Sequence, residues 1–201
     1  MTMLLQDREV LMRSADASWT YELWEQLPHE EYRYEIIDGV LYMSTAPGPD
    51  HQRTSSRIYL GLLDQIDRRG LGETFYSPIG LVIPGATPVQ PDLVVVLVED
   101  ADIVSAKRIE GIPALVVEIL SPSTVEYDLI TKREIYARAG IPEYWAARPA
   151  QRDILVHSEP DTITGAYRRI EHIPPDGELI SPTLPFRAPV ASFFVGTGDR
   201  G

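Results

Sequence analysis

Two carboxylates stand inside stretches that are otherwise apolar. Asp92 follows Pro91 and opens the run Leu93-Val94-Val95-Val96-Leu97-Val98, and Glu118 lies within Leu115-Val116-Val117-Glu118-Ile119-Leu120. An unpaired carboxylate buried in such a run is heavily penalised or driven to keep its proton. Each therefore needs a cation, a hydrogen-bond network or water in a cleft. A divalent metal would satisfy both at once, because Mg²⁺ takes oxygen ligands and keeps several waters. The plainer readings are a turn residue at a strand start for Asp92 and half of a structural ion pair for Glu118.

Lys132 is the candidate cation. It falls four residues after Asp128 and four before Tyr136, so the three share one helix face. The strand that holds Glu118 leads into that helix. Read plainly, Lys132 is an exposed partner of Asp128 and Tyr136 is a packing residue. Glu35, within Tyr34-Glu35-Ile36-Ile37, either completes a carboxylate cluster or faces solvent. His51 opens a helix at its positive end, where it could contact substrate. His29, His157 and His172 have no metal-ligand spacing, and no HExxH, P-loop or GxSxG element occurs.

Turn chemistry and periodicity outline the elements that must hold these residues. Residues 1–17 read as a loosely attached leader with a short helix. Thr20 caps a helix reaching residue 27. Asp38-Gly39 between residues 34–37 and 40–43 is a strong hairpin signal. Asp50 caps a helix to residue 69, with Ile58, Leu62 and Ile66 on one face and Gly70 at its end. Residues 74–77 and 79–83 read as strands, and 93–98 and 114–120 as strands buried on both faces. Ser123 and Glu126 have capping-box spacing, with Asp128 as an alternative start to a regular helix that Gly140 ends. Strands follow at 143–147, 154–158 and 167–172. The resulting division is a leader at 1–17, a single domain at 18–195 and a frayed C-terminus at 196–201.

Of the 201 residues, 44 % are hydrophobic and 24 % charged, a balance that suits one domain with a substantial core. No window approaches the roughly 20 apolar residues of a membrane span. The first ten residues, with Asp7, Arg8 and Glu9, do not read as a secretory signal, so a cytoplasmic protein without membrane contact is expected. The absence of cysteine excludes disulfides, thiolate zinc sites and cysteine nucleophiles. Lys plus Arg is 18 against 30 for Asp plus Glu, a net charge of −12. Nucleic acid attracts basic surfaces. Binding it would here require a local patch, a bridging metal or a partner. Arg33, Arg53, Arg57, Arg68, Arg69, Lys107 and Arg108 either supply that patch or are solvated surface charge.

The succession of Tyr34-Glu35-Ile36-Ile37-Asp38-Gly39, His51 at a helix start, Pro91-Asp92, Val117 to Thr124, then Asp128, Lys132, Tyr136 and finally Gly140-Ile141-Pro142-Glu143-Tyr144-Trp145 resembles the Uma-two family of bacterial restriction-endonuclease-like proteins. Each piece is short, but their order and spacing are specific, and the resemblance runs from about residue 20 to 194. It implies an α/β fold with a central mixed sheet flanked by helices and a PD-(D/E)xK-type metal site at one edge. In that scheme Asp92 and Glu118 bind the metal, Glu35 assists, and a lysine orients or activates the attacking water. Two departures stand out. The wider nuclease motif wants lysine two residues after Glu118, where Leu120 stands, and Lys132 is expected to replace it from the helix. Relatives often carry an acidic residue soon after the tryptophan, where this chain has Ala146-Ala147-Arg148; that position is expected to be structural.

The leading expectation is therefore DNA phosphodiester hydrolysis with Mg²⁺ or Mn²⁺ held by Asp92 and Glu118, with Glu35 and Lys132 beside them. His51 and Tyr136 are the substrate-contact candidates, and a homodimer would suit cutting two strands. One rival is a degenerate nuclease fold acting as a binding or interaction module. Another is a glycoside hydrolase using Glu35 and Glu118, which requires an open groove between them and no lysine there.

Overall fold

A computed structural model describes residues 11–28 and 32–194. The two continuous apolar runs become β7 (Leu93–Leu97) and β9 (Leu115–Ile119). Beside them lie β4 (Gly72–Tyr76), β10 (Glu143–Arg148), β11 (Asp153–Asp161) and β12 (Ala166–Ile173). Together they form a six-stranded sheet in the order β12-β11-β10-β9-β7-β4. Only β9 and β10 run parallel, so the central sheet is mixed.

Alternation sends side chains to two cores. On one face Leu93, Val95 and Val117 pack with Ile58, Leu62 and Ile66 of the long helical segment that begins with α2 (Pro49–Gln65). On the other, Val94, Val96 and Val116 meet Ile135 and Tyr136 of α3 (Arg133–Ala139). Burying each such side chain contributes about 1.5–3 kcal/mol, which is why these strands are apolar throughout.

The Asp-Gly hairpin forms as read: β2 (Arg33–Ile37) and β3 (Val40–Ser44) flank Asp38 and Gly39, both at positive φ (49° and 75°). It belongs to a second six-stranded sheet. Its other members are β1 (Leu11–Arg13), β5 (Leu81–Ile83), β6 (Ala86–Val89) and β8 (Ile109–Glu110), in the order β1-β3-β2-β6-β5-β8. Residues of this sheet, Ile37, Leu81 and Ala86 among them, join the core under α3. The chain leaves it at Val89 and enters the central sheet at Leu93, so residues 90–92 form a corner between the sheets.

Several elements differ from the sequence reading. The leader holds a strand, β1, paired with β3, rather than a helix among its described residues. The helix after Thr20 spans only Tyr21–Trp24 (α1), and Thr20 makes no side-chain cap bond. Gly48, not Asp50, caps α2, with Pro49 supplying the preset φ of a first helical residue. The expected regular helix from residue 128 opens with a π-helical stretch, Tyr127–Lys132. A closing hairpin, β13 (Glu178–Ile180) and β14 (Arg187–Pro189), was not foreseen. The expected fraying at 196–201 and His29 lie outside the described residues.

Candidate active site

Leu93 pairs with Val117 across the antiparallel β7–β9 ladder, and one step outward the register sets Asp92 opposite Glu118. Both belong to the face turned towards α3, because Val94 and Val116, two residues away from each, point there. The Ile119 N–H donates to Asp92 Oδ2 at 2.8 Å, which ties the corner to the neighbouring strand. Asp92 and Glu118 are each only 2 % exposed. They line a narrow cleft of about 30 Å³ together with Glu35, His51, Asp128 and Lys132.

Lys132 sits between the acids. Its Nζ lies 2.9 Å from Glu118 Oε1, 2.9 Å from Glu35 Oε1 and 3.7 Å from Asp128 Oδ1. Tyr136 donates its hydroxyl to Glu118 Oε1 at 2.7 Å, and the Gln90 N–H donates to Glu35 Oε1 at 2.7 Å. Glu35 thus reaches over from the second sheet to the corner where the chain changes sheets. Leu120 is packed in the core beneath α3, and the ammonium reaches Glu118 from the helix instead. Ala146 pairs with Glu118 on β10 and is buried in the core beneath α3, and Arg148 is held by Asp153 at 2.7 Å.

Two further residues belong to the cluster. Arg33 donates to Asp92 Oδ1 from both terminal nitrogens (3.1 and 3.2 Å) and to Ser77 Oγ at 2.7 Å. It precedes Glu35 by two residues on one strand, so strand alternation puts both on one face, a signal present in the sequence. Asp128, expected only as a helix partner of Lys132, is buried in the cleft. His51 brings Nε2 to 3.0 Å from Asp92 Oδ2. Its Nδ1 and the Tyr127 hydroxyl are buried without a hydrogen-bond partner, and both residues line the cleft. Of the other six members of the basic patch, three are paired with acids: Arg53 with Asp50, Arg68 with Asp64 and Arg108 with Glu110.

The electrostatics follow from burial and crowding. Burial works to raise the Asp92 carboxyl, but Arg33 and His51 outweigh it and hold it below the usual range. Burial would strip Lys132 of its proton, yet Glu118, Glu35 and Asp128 keep it charged and push its pKa up. Glu118 is driven the other way, to about 8, by burial and the carboxylates around it, against the pull of Lys132. Burial lifts Asp128 to about 6.

Among the described residues no three His, Asp or Glu side chains converge as a ready-made metal cage. The donor set still fits an ion that keeps its own water. Two facing carboxylates, unpartnered polar atoms on the wall and a space for about two waters match the way Mg²⁺ is held. A glycosidase pair of Glu35 and Glu118 is excluded by the lysine lodged between them.

A sequence-family model described as "Putative restriction endonuclease" matches residues 20–191. No curated protein matches the chain. Among solved structures, a crystal structure of "a putative nuclease belonging to DUF820" from Anabaena variabilis superposes with a TM-score of 0.73. It is 17 % identical, and the match covers 88 % of this chain and 97 % of that one, so the two share the restriction-endonuclease-like fold. Among the described residues no helix is long and apolar enough to cross a membrane.

Proposed function

Since this chain belongs to the Uma2 family of restriction-endonuclease-like proteins, we propose that it hydrolyses DNA phosphodiester bonds, with a divalent metal, in the cleft between Asp92 and Glu118. One observation carries the reading. Four buried carboxylates, Glu35, Asp92, Glu118 and Asp128, meet only two permanent cations, Lys132 and Arg33. With all four ionised, the deficit is the charge of one divalent cation.

Asp92 and Glu118 would hold Mg²⁺ or Mn²⁺, with water completing the shell. When bound, the ion supplies polarisation of the scissile phosphate and stabilises developing negative charge. Lys132 keeps its ammonium against Glu118, where it would orient the attacking water, and Glu35 fixes it from the opposite side. Tyr136 fixes the same Glu118 oxygen. Arg33 already lies on Asp92 and offers the planar fork suited to a phosphate. A homodimer would present two such clefts to two strands.

The test is DNA cleavage with Mg²⁺ or Mn²⁺ by wild type and Asp92→Ala, alongside thermal melts. Wild type should cleave and Asp92→Ala should not. Metal at 100 times its dissociation constant should add about 2.7 kcal/mol of stability, and Glu118→Gln should lose that gain. A wild-type melting temperature unmoved by millimolar Mg²⁺ and Mn²⁺ would rule the metal site out. A binding module would then take its place, a reading favoured by the way Arg33, His51 and the Ile119 N–H already occupy Asp92.

A further inference from the structure

Two larger cavities share walls with the narrow cleft. Past Asp92 and Arg33 lies a cavity of about 780 Å³, and past Ser121 lies one of about 460 Å³; His51 lines both cavities and the cleft between them. The cleft thus shares Arg33, His51 and Asp92 with the larger cavity and His51 and Ser121 with the smaller one. The larger cavity is walled by Trp24 of α1, Tyr32 before β2, Tyr59 of α2 and Tyr76 at the end of β4. Tyr59 and Tyr76 meet edge to face, with centroids 5.1 Å apart, and Tyr76 is 62 % exposed. Tyr76, so open to water and flanked by the half-buried Tyr59, is ready to stack on a flat ligand. Ser55 and Gln52, on the same side of α2 as Tyr59, and Gln90 place polar groups around the rings, where the edge of a base could find hydrogen bonds.

We infer that this aromatic cavity receives an unpaired nucleobase next to the scissile phosphate, so that the substrate is a single-stranded or locally opened nucleic acid. The inference rests on the nuclease reading and narrows its substrate. The size lies within the roughly 300–1,000 Å³ usual for small-ligand sites. Stacking on aromatic side chains is the sequence-tolerant way to hold single strands. The charge distribution points the same way. A duplex tracked by its phosphates needs a basic stripe, whereas here Arg53, Arg68 and Arg108 are each paired with an acid and the net charge is −12. Arg33, at the junction of cavity and cleft, is placed for the single phosphate between the base and the carboxylates.

The experiment measures binding of a labelled deoxyoligonucleotide carrying 2-aminopurine, as a single strand and as a duplex, in EDTA and with Ca²⁺. Wild type should bind the single strand at least tenfold more tightly and quench the 2-aminopurine by stacking. Tyr76→Ala and Tyr59→Ala should each weaken single-strand binding by about tenfold and restore the fluorescence, whereas Tyr76→Phe should keep both. Tyr76 is exposed enough that its truncation should leave the melting temperature in place, which separates a lost contact from a lost fold. Equal affinity for duplex, or wild-type affinity and quenching in a folded Tyr76→Ala protein, would overturn the base site. If Asp92→Ala still abolished cleavage, the nuclease reading would survive it. Failure of wild type to bind either form with a divalent ion present would overturn both.

Discussion

Lys132 carries its ammonium into a space with less than 5 % exposure, where its partners are Glu118, Glu35 and Asp128. Removing one member of a buried ion pair leaves the others uncompensated, a loss of roughly 3–5 kcal/mol. Lys132→Met should therefore destabilise the protein by about that much, and adding Glu118→Gln should return part of it, as read by urea denaturation of both variants. A loss below about 1 kcal/mol would mean that solvent, not Lys132, neutralises the acids. Much of this arrangement was legible from residue type: a charge inside an apolar run demands a partner, which singled out Asp92 and Glu118, and helical spacing singled out Lys132 and Tyr136. What spacing could not convey was which acids share one lysine. Glu35 comes from another sheet, and only the tertiary crossing at residues 90–92 brings it within reach.

At the scale of elements, the signals that succeeded were local ones. Asp38-Gly39 needs two positive φ values and has them, and the unbroken Val and Leu runs are strands with both faces covered. Elements with a weak strand signal or a distant anchor escaped notice. β6 contains Pro88, which argues against a strand, and it is held by β5 and by a single pair with β2. The closing hairpin was missed because its anchor, Glu143, lies far upstream. That carboxylate is fully buried without a cation, and it accepts bonds from Trp145 Nε1 (2.5 Å), Ser181 Oγ (2.6 Å) and the Thr183 hydroxyl. Burial raises its pKa despite those bonds. Ser181→Ala should cost about 1–3 kcal/mol, because it leaves a buried acceptor short of a donor. Hydrogen exchange should accelerate first in β13 and β14, and unchanged protection there would show that the hairpin is held by its apolar contacts alone.

For the molecule as a whole, a buried histidine outside the cleft sets an acid limit. His157 on β11 lies between Tyr144 and Tyr167, with centroids 5.0 and 5.7 Å away, and burial, with Arg133 adding repulsion, lowers its pKa to about 4. The unfolded chain, at the ordinary histidine value near 6.5, takes up the proton first as pH falls. This residue's contribution is thus complete above about pH 6.5 and is lost towards pH 4, up to about 3 kcal/mol at 1.36 kcal/mol per unit. Stability of wild type minus that of His157→Gln, followed by denaturation across that window, should fall with acidity; a flat difference would show the imidazole to be solvated. The mixed central sheet was foreseen as part of the family resemblance, but the second sheet was not: β2, β3 and β5 were read as strands, while the short β1, β6 and β8 that join them into a sheet carry little periodicity. One of those strands has an effect beyond its size. β1 places Leu11 on the wall of the carboxylate cleft. A hydrocarbon wall keeps the local permittivity low, and Coulomb energies scale inversely with permittivity. The same Lys132–Glu118 separation is therefore a stronger interaction behind Leu11 than in open water, and the segment with the least distinctive sequence becomes an insulator for the most highly charged part of the chain.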